Sequence, residues 1–186
     1  MRRFAIKNEL HKNRPAEAWL EYDEKTKEFR VTVSPDADTT LLPLTVEAFA
    51  KRGQYEIGPD WSLNLVRERI VPPNRQNIGS ILKNLGLEFY DEFPLLLASQ
   101  GRCSQDDCYI EEVTPQTEAR ERALKYAVLI EEARVAEGLT QAELAERSGI
   151  RQCNISRLET GSTMPSTETL ERIAEALGKK VKITFE

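Results

Sequence analysis

The chain has one histidine, three cysteines and no long apolar run, and each scarcity closes off a class of protein. A single imidazole, His11, rules out a histidine-rich metal centre, and no His-based catalytic triad is visible in the sequence. The thiols of Cys103, Cys108 and Cys153 are an odd set in 186 residues, so reduced cysteines are expected rather than a disulfide framework. Cys103 and Cys108 with His11 lack clear third and fourth ligands for zinc, and no metal is expected. Nothing approaches the roughly 20 apolar residues of a membrane span. The opening MRRFAIKNELHKNRP reaches Lys7, Asn8 and Glu9 before any apolar stretch that a secretion signal would need. A cytoplasmic location without membrane contact is therefore expected. Phosphate-binding glycine loops and nucleophile elbows are missing as well, so neither enzymatic activity nor a cofactor is expected.

Positive charge is also in short supply: 26 basic against 31 acidic side chains give a formal net charge of −5. Most of the excess lies upstream, because residues 1–115 hold 15 basic and 19 acidic side chains and residues 116–186 hold 11 and 12. Phosphate affinity comes from Lys and Arg, so only their placement on one face could make the near-neutral C-terminal part a nucleic-acid binder.

The punctuation of the chain points to an α+β protein in two parts. Trp19–Tyr22 and Phe29–Val33 are rich in aromatic and β-branched residues around a polar turn, which predicts a hairpin with Phe29, Val31 and Val33 on one face. Short helices are predicted near Val46–Arg52, Trp61–Ile70, Gln76–Leu85 and Glu92–Ser99, with Asp60 taken as the cap of the second, and Cys108–Val113 reads as a closing strand. Asp106, Asp107, Glu111 and Glu112 form an acidic cluster, read as a solvated loop and strand edge. Thr114-Pro115 offers a helix cap followed by proline at the first helical position. We therefore expect a small α+β domain over residues 1–115, and over 116–186 an all-α domain ending in a β-strand.

The stretch from Gly138 to Gly161 carries the functional signal. Thr140 and Glu143 make a capping box, so a helix starts at Gln141. Leu144 and Ala145 face inward, and Gly149 supplies the left-handed residue of a tight turn. A second helix begins near Gln152. Ile150, Ile155 and Leu158 supply its buried face, which leaves Gln152, Cys153, Asn154, Ser156 and Arg157 open. An exposed short helix with hydrogen-bonding side chains in its first turn meets the physical requirement for reading a major groove. A last helix follows Pro165, capped by Ser166, with Leu170, Ile173, Ala174 and Leu177 inward.

From about Ile130 to Gly178, and above all in LTQAELAERSGI followed by ISRLETG, the sequence resembles the helix-turn-helix family of phage repressors, Cro proteins and bacterial antitoxins of the HipB and HigA kinds. The resemblance implies that Gln141 binds backbone phosphate and braces the recognition helix, that Gln152, Cys153 and Asn154 reach base edges, and that Arg157 lies further along that face. It also implies a pairing of Arg134 with Glu159. The expected DNA-facing set is Thr140, Gln141, Arg151, Gln152, Cys153, Asn154, Ser156, Arg157 and Thr160. Two positions depart from the family pattern. Arg151 stands where a Ser or Thr usually caps the helix, weakening the cap by roughly 1 kcal/mol. Cys153 replaces a polar side chain and is better suited to a thymine methyl than to a hydrogen bond. The implied function is that of a dimeric transcriptional regulator, a repressor reading a palindromic operator in double-stranded DNA. The alternative is an antitoxin that neutralises a partner protein and regulates its own operon.

In the tail, Val181, Ile183 and Phe185 alternate with Lys182 and Thr184, the pattern of a half-buried strand. A lone strand needs a partner edge. Pairing with a twofold mate, as in HipB-like antitoxins, would make these three residues a dimerisation strand; the other candidate edge is the chain's own at Phe29–Val33. Upstream, Trp61–Tyr109 resembles the region preceding the kinase core in some HipA-like proteins, which implies an interaction or regulatory module with a protein partner.

Overall fold

A computed structural model describes residues 1–182, and its chain divides into two compact units. The first comprises Met1–Lys12 with Ala16–Val113, and the second Asn13–Pro15 with Thr114 onward.

Five antiparallel strands build the first unit: β1 (Arg2–Asn8), β2 (Ala18–Asp23), β3 (Glu28–Val33), β4 (Glu56–Ile57) and β5 (Cys108–Glu112), in the order β4-β3-β2-β1-β5. The hairpin β2–β3 follows the expected alternation, with Leu20 opposite Val31, and the row continues to Phe4 on one side and Ile57 on the other. Cross-strand apolar rows of this kind fix register, because a one-residue slip would turn every side chain to the opposite face. Helices α1 (Leu44–Ala50), α2 (Pro59–Arg67), α3 (Ile78–Asn84) and α4 (Glu92–Ser99) lie between β3 and β5 in the chain. Val46, Val66 and Leu96 are fully buried with Phe4, Leu20 and Val31 in a single core. Phe93 of α4 stacks on Tyr22 with ring centroids 3.9 Å apart and meets Phe4 edge-on at 6.0 Å.

Three features of this unit differ from the sequence reading. β1 was not expected as a strand, yet it is the inner strand that joins β2 to β5. Helix α2 starts one residue before Asp60: Pro59 takes the first helical position and Gly58 the cap, which suits a residue without an amide hydrogen. Asp106 is no solvated loop residue. Its carboxylate receives both Nη atoms of Arg69, at 3.1 and 2.5 Å, and the Arg69 side chain is only 5% exposed. Arg69 also donates to the Gly101 carbonyl at 2.9 Å, so a single guanidinium pins the loop that leads into β5. The neighbouring Cys108 thiol is buried, and burial followed by the Asp106 charge pushes it up to about 12.

The second unit is helical: α5 (Pro115–Ala136), α6 (Gln141–Ser148), α7 (Gln152–Glu159) and α8 (Thr167–Ala176). Thr114 caps α5 through the Thr117 amide, with Pro115 at the first position. Ile130, Leu139, Leu144, Ile155, Leu158, Ile173 and Leu177 form its core. Gly161 ends the turn after α7 with φ +66°, where an added Cβ would fall 2.5 Å from Leu124 Cδ2. The expected C-terminal strand is not found in the described part of the tail: residues 179–182 are in no strand and Val181 is 38% exposed. Ile183 and Phe185 lie outside the described residues. On the intrachain edge considered for them, Val31 and Thr32 pair with β4. No helix among the described residues is long and apolar enough to cross a membrane.

Candidate nucleic-acid interface

The α6-turn-α7 segment assembles as its capping chemistry dictates. The Thr140 amide donates to Glu143 Oε2 at 2.8 Å, and the Glu143 amide donates back to Thr140 Oγ1 at 3.2 Å. The same contacts, led by the Thr140 amide, hold the Glu143 carboxyl below its usual range. Gly149 closes α6 at φ +65° and Ser148 Oγ returns to the Leu144 carbonyl at 2.6 Å. Arg151 then takes the cap of α7 with extended backbone and no side-chain cap bond, as its chemistry requires.

Helix α7 splits into two faces. Ile155, Leu158 and Glu159 are buried, Ser156 is half-buried, and Arg151, Gln152, Cys153, Asn154, Arg157 and Thr160 are exposed. Gln152, Cys153 and Asn154 make up the first turn, so three consecutive exposed side chains open the helix. Thr160 Oγ1 bonds the Arg157 carbonyl at 3.2 Å and lies 2.9 Å from Ser162 Oγ, and Thr140 is exposed at the start of α6.

A buried polar network fixes that face relative to α5. The Arg134 guanidinium forks onto Glu159, Nε to Oε1 at 2.6 Å and Nη2 to Oε2 at 2.8 Å, and Nη1 reaches the Leu139 carbonyl at 2.7 Å. Gln141 Nε2 donates to the same Glu159 Oε2 at 2.9 Å. Glu159 thus ties together α5, α6 and α7. Fork geometry makes these the strong kind of charge-assisted hydrogen bond. Gln141 is half-buried, and its bracing bond to Glu159 is on the α7 side of the turn.

Sequence reasoning missed Arg172. From α8 its Nε and Nη2 donate to the Ser148 carbonyl at 3.2 and 2.9 Å, and Nη2 also donates to the Gly149 carbonyl at 2.8 Å. These carbonyls belong to the end of α6, where helical partners run out. The left-handed Gly149 announces such orphan acceptors, but nothing local names a donor more than twenty positions away. A groove of about 390 Å³ lies between α7 and α8, with Arg151, Arg157 and Arg172 in its wall.

Comparison with known proteins centres on these helices. The helix-turn-helix family model matches residues 130–182. A protein of Haemophilus influenzae named an uncharacterized HTH-type transcriptional regulator is 35% identical over 75 residues, covering 39% of this chain and 76% of that protein. A protein of Methanothermobacter thermautotrophicus with the same name is 50% identical over 52 residues, 28% of this chain and 75% of its own. No solved structure matches the chain. The likeness of Trp61–Tyr109 to HipA-like proteins gains no support, for the family match starts at residue 130.

Proposed function

Because the chain belongs to the helix-turn-helix family of transcriptional regulators, we propose that it is a sequence-specific DNA-binding repressor that inserts α7 into the major groove of double-stranded DNA. The observation that carries this reading is the exposed first turn of α7, with Gln152, Cys153 and Asn154 outward on a helix clamped from behind by Arg134, Glu159 and Gln141. Gln152 and Asn154 suit adenine edges, Arg157 and Arg151 suit guanine or phosphate, and the Cys153 thiol suits a thymine methyl. Thr140, Gln141, Ser156 and Thr160 border the same surface and serve the flanking phosphates.

In this reading the protein works as a homodimer on a palindromic site, two copies of α7 being about one DNA turn apart. An apolar groove of about 680 Å³ along α5 and α8, walled by Leu129, Leu170 and Val181 with Leu129 61% exposed, supports it. Val181, Ile183 and Phe185 are the proposed dimerisation residues. The first unit takes the part of a partner-binding module; Leu44 and Trp61, 68% and 54% exposed, are its largest open apolar side chains on α1 and α2.

The test is DNA selected from random sequence by the full chain, followed by gel shifts. Twofold-symmetric sequences are expected, with Gln152→Ala and Arg157→Ala each weakening specific binding by roughly 1–3 kcal/mol. Unchanged affinity in both variants would remove α7 as the reading helix.

A further inference from the structure

The groove between α7 and α8 is cationic in a chain that is acidic overall. Arg151 and Arg157 line it from the α7 side and Arg172 from α8, and none of the three has an ion pair among the described residues. Asn154, Thr163 and Thr169 add an amide and two hydroxyls, and among the described residues no carboxylate lines the groove. Arg172 is held there rather than free to swing. Its Nε and Nη2 are spent on the Ser148 and Gly149 carbonyls, which leaves Nη1 without a hydrogen bond among the described residues. A guanidinium so anchored loses little further freedom when it meets an anion.

On the DNA-binding reading above, we propose that this groove seats one backbone phosphodiester of the bound DNA, with Arg172 Nη1 as a donor and Arg151 and Arg157 as flanking charges. The contact sets register beside the bases that α7 meets and carries no sequence information itself. Arg172 then has two tasks joined in one side chain: it holds the turn through two carbonyls and presents its remaining nitrogen to the DNA strand.

Salt dependence separates the two tasks. Binding of the full chain to its selected DNA is followed by fluorescence anisotropy over a salt series, with melting temperatures in parallel. Arg172→Gln is expected to bind about tenfold more weakly, since a charge-assisted hydrogen bond is removed. Its plot of log affinity against log salt should be shallower by about 0.9 for each phosphate that is no longer neutralised. Arg172→Lys, with one nitrogen for both tasks, should recover the melting temperature but only part of the slope. Weaker binding with an unchanged slope reduces Arg172 to a holder of the turn and overturns the proposal, as does Arg172→Gln binding like wild type. Should Arg172→Gln melt below the assay temperature, DNA carrying single uncharged methylphosphonate linkages decides. One linkage beside the α7 bases should then weaken wild type more than Arg172→Lys, whose lone ammonium is drawn to the two carbonyls and reaches the phosphate only in part. No such linkage, or equal losses, overturns the proposal. Inorganic phosphate that raises the melting temperature of wild type but not Arg172→Gln, with an equal salt slope for both on DNA, would assign the groove to free phosphate instead. Wild-type protein that selects no DNA fails the DNA-binding reading itself, a result distinct from all of these.

Discussion

Replacing Glu159 by glutamine should be among the most damaging isosteric changes in the second unit. Glu159 Oε1 accepts from Arg134 Nε, and Oε2 accepts from both Arg134 Nη2 and Gln141 Nε2. An amide nitrogen in either place points a donor at a donor. The less costly orientation puts it opposite Arg134 Nε, losing the 2.6 Å bond and keeping the other two. The side chains of Arg134 and Glu159 are only 13% and 4% exposed, so solvent does little to compensate. Losing one charge-assisted bond and leaving the guanidinium without its counter-charge should cost about 3 kcal/mol. For a unit of this size that lowers the melting temperature by upward of about 10 °C. Far-ultraviolet circular dichroism during urea unfolding follows the helices, while fluorescence follows Trp19 and Trp61, both in the first unit. Arg134→Met with Glu159→Leu should recover most of the loss, because an apolar pair of similar volume removes both charges together. The double variant should still bind DNA poorly, since Gln141 has lost its acceptor. A cost below about 1 kcal/mol for Glu159→Gln would refute the reasoning, for that is the worth of a surface pair.

Two further outcomes test the packing of each unit. For Asp106, burial works to raise the carboxyl while the Arg69 guanidinium and the Cys108 amide outweigh it, so its folded value lies below the ordinary 3.8. A depressed carboxylate contributes stability above its unfolded value and loses it as pH falls through the folded one, so tryptophan-monitored stability should decline below about pH 4, and Asp106→Asn should flatten that acid limb while lowering stability at neutral pH. For Gly161, alanine would have to hold φ +66° with its Cβ 2.5 Å from Leu124 Cδ2, and should destabilise the second unit by about 2 kcal/mol or more in urea.

What the sequence disclosed follows from the range of each interaction. The α6-turn-α7 segment was legible because its signals are local: Thr140 caps with Glu143 three positions on, and Gly149 takes the left-handed turn beside them. The hairpin β2–β3 was legible for the same reason, its alternation and its turn lying within one short stretch. The Arg134–Glu159 pair spans 25 positions and came only through family resemblance. Strand β1 went unseen because Arg2, Arg3, Ala5 and Lys7 are poor advertisements for a strand, and its place is set by β2 and β5 rather than by its own composition.

The same logic explains why two cationic anchors escaped and why they matter differently. Arg69 reaches Asp106 across 37 positions and Arg172 reaches Ser148 across 24, distances over which no periodicity or capping rule operates. Arg69 is spent: it is buried, both Nη atoms are bonded and its charge is paired with Asp106, so little of that charge reaches the surface. Arg172 is matched only to neutral carbonyls, so its full positive charge remains on the surface beside Arg151 and Arg157. A net charge of −5 therefore misstates the surface that counts. Acidic side chains elsewhere pair with bases such as Arg2, Lys51 and Arg67, while the groove beside α7 has three arginines and, among the described residues, no carboxylate in its wall. An acidic protein can carry a phosphate-binding face because Coulomb attraction at contact depends on the few charges within a Debye length, about 8–10 Å, and not on the total.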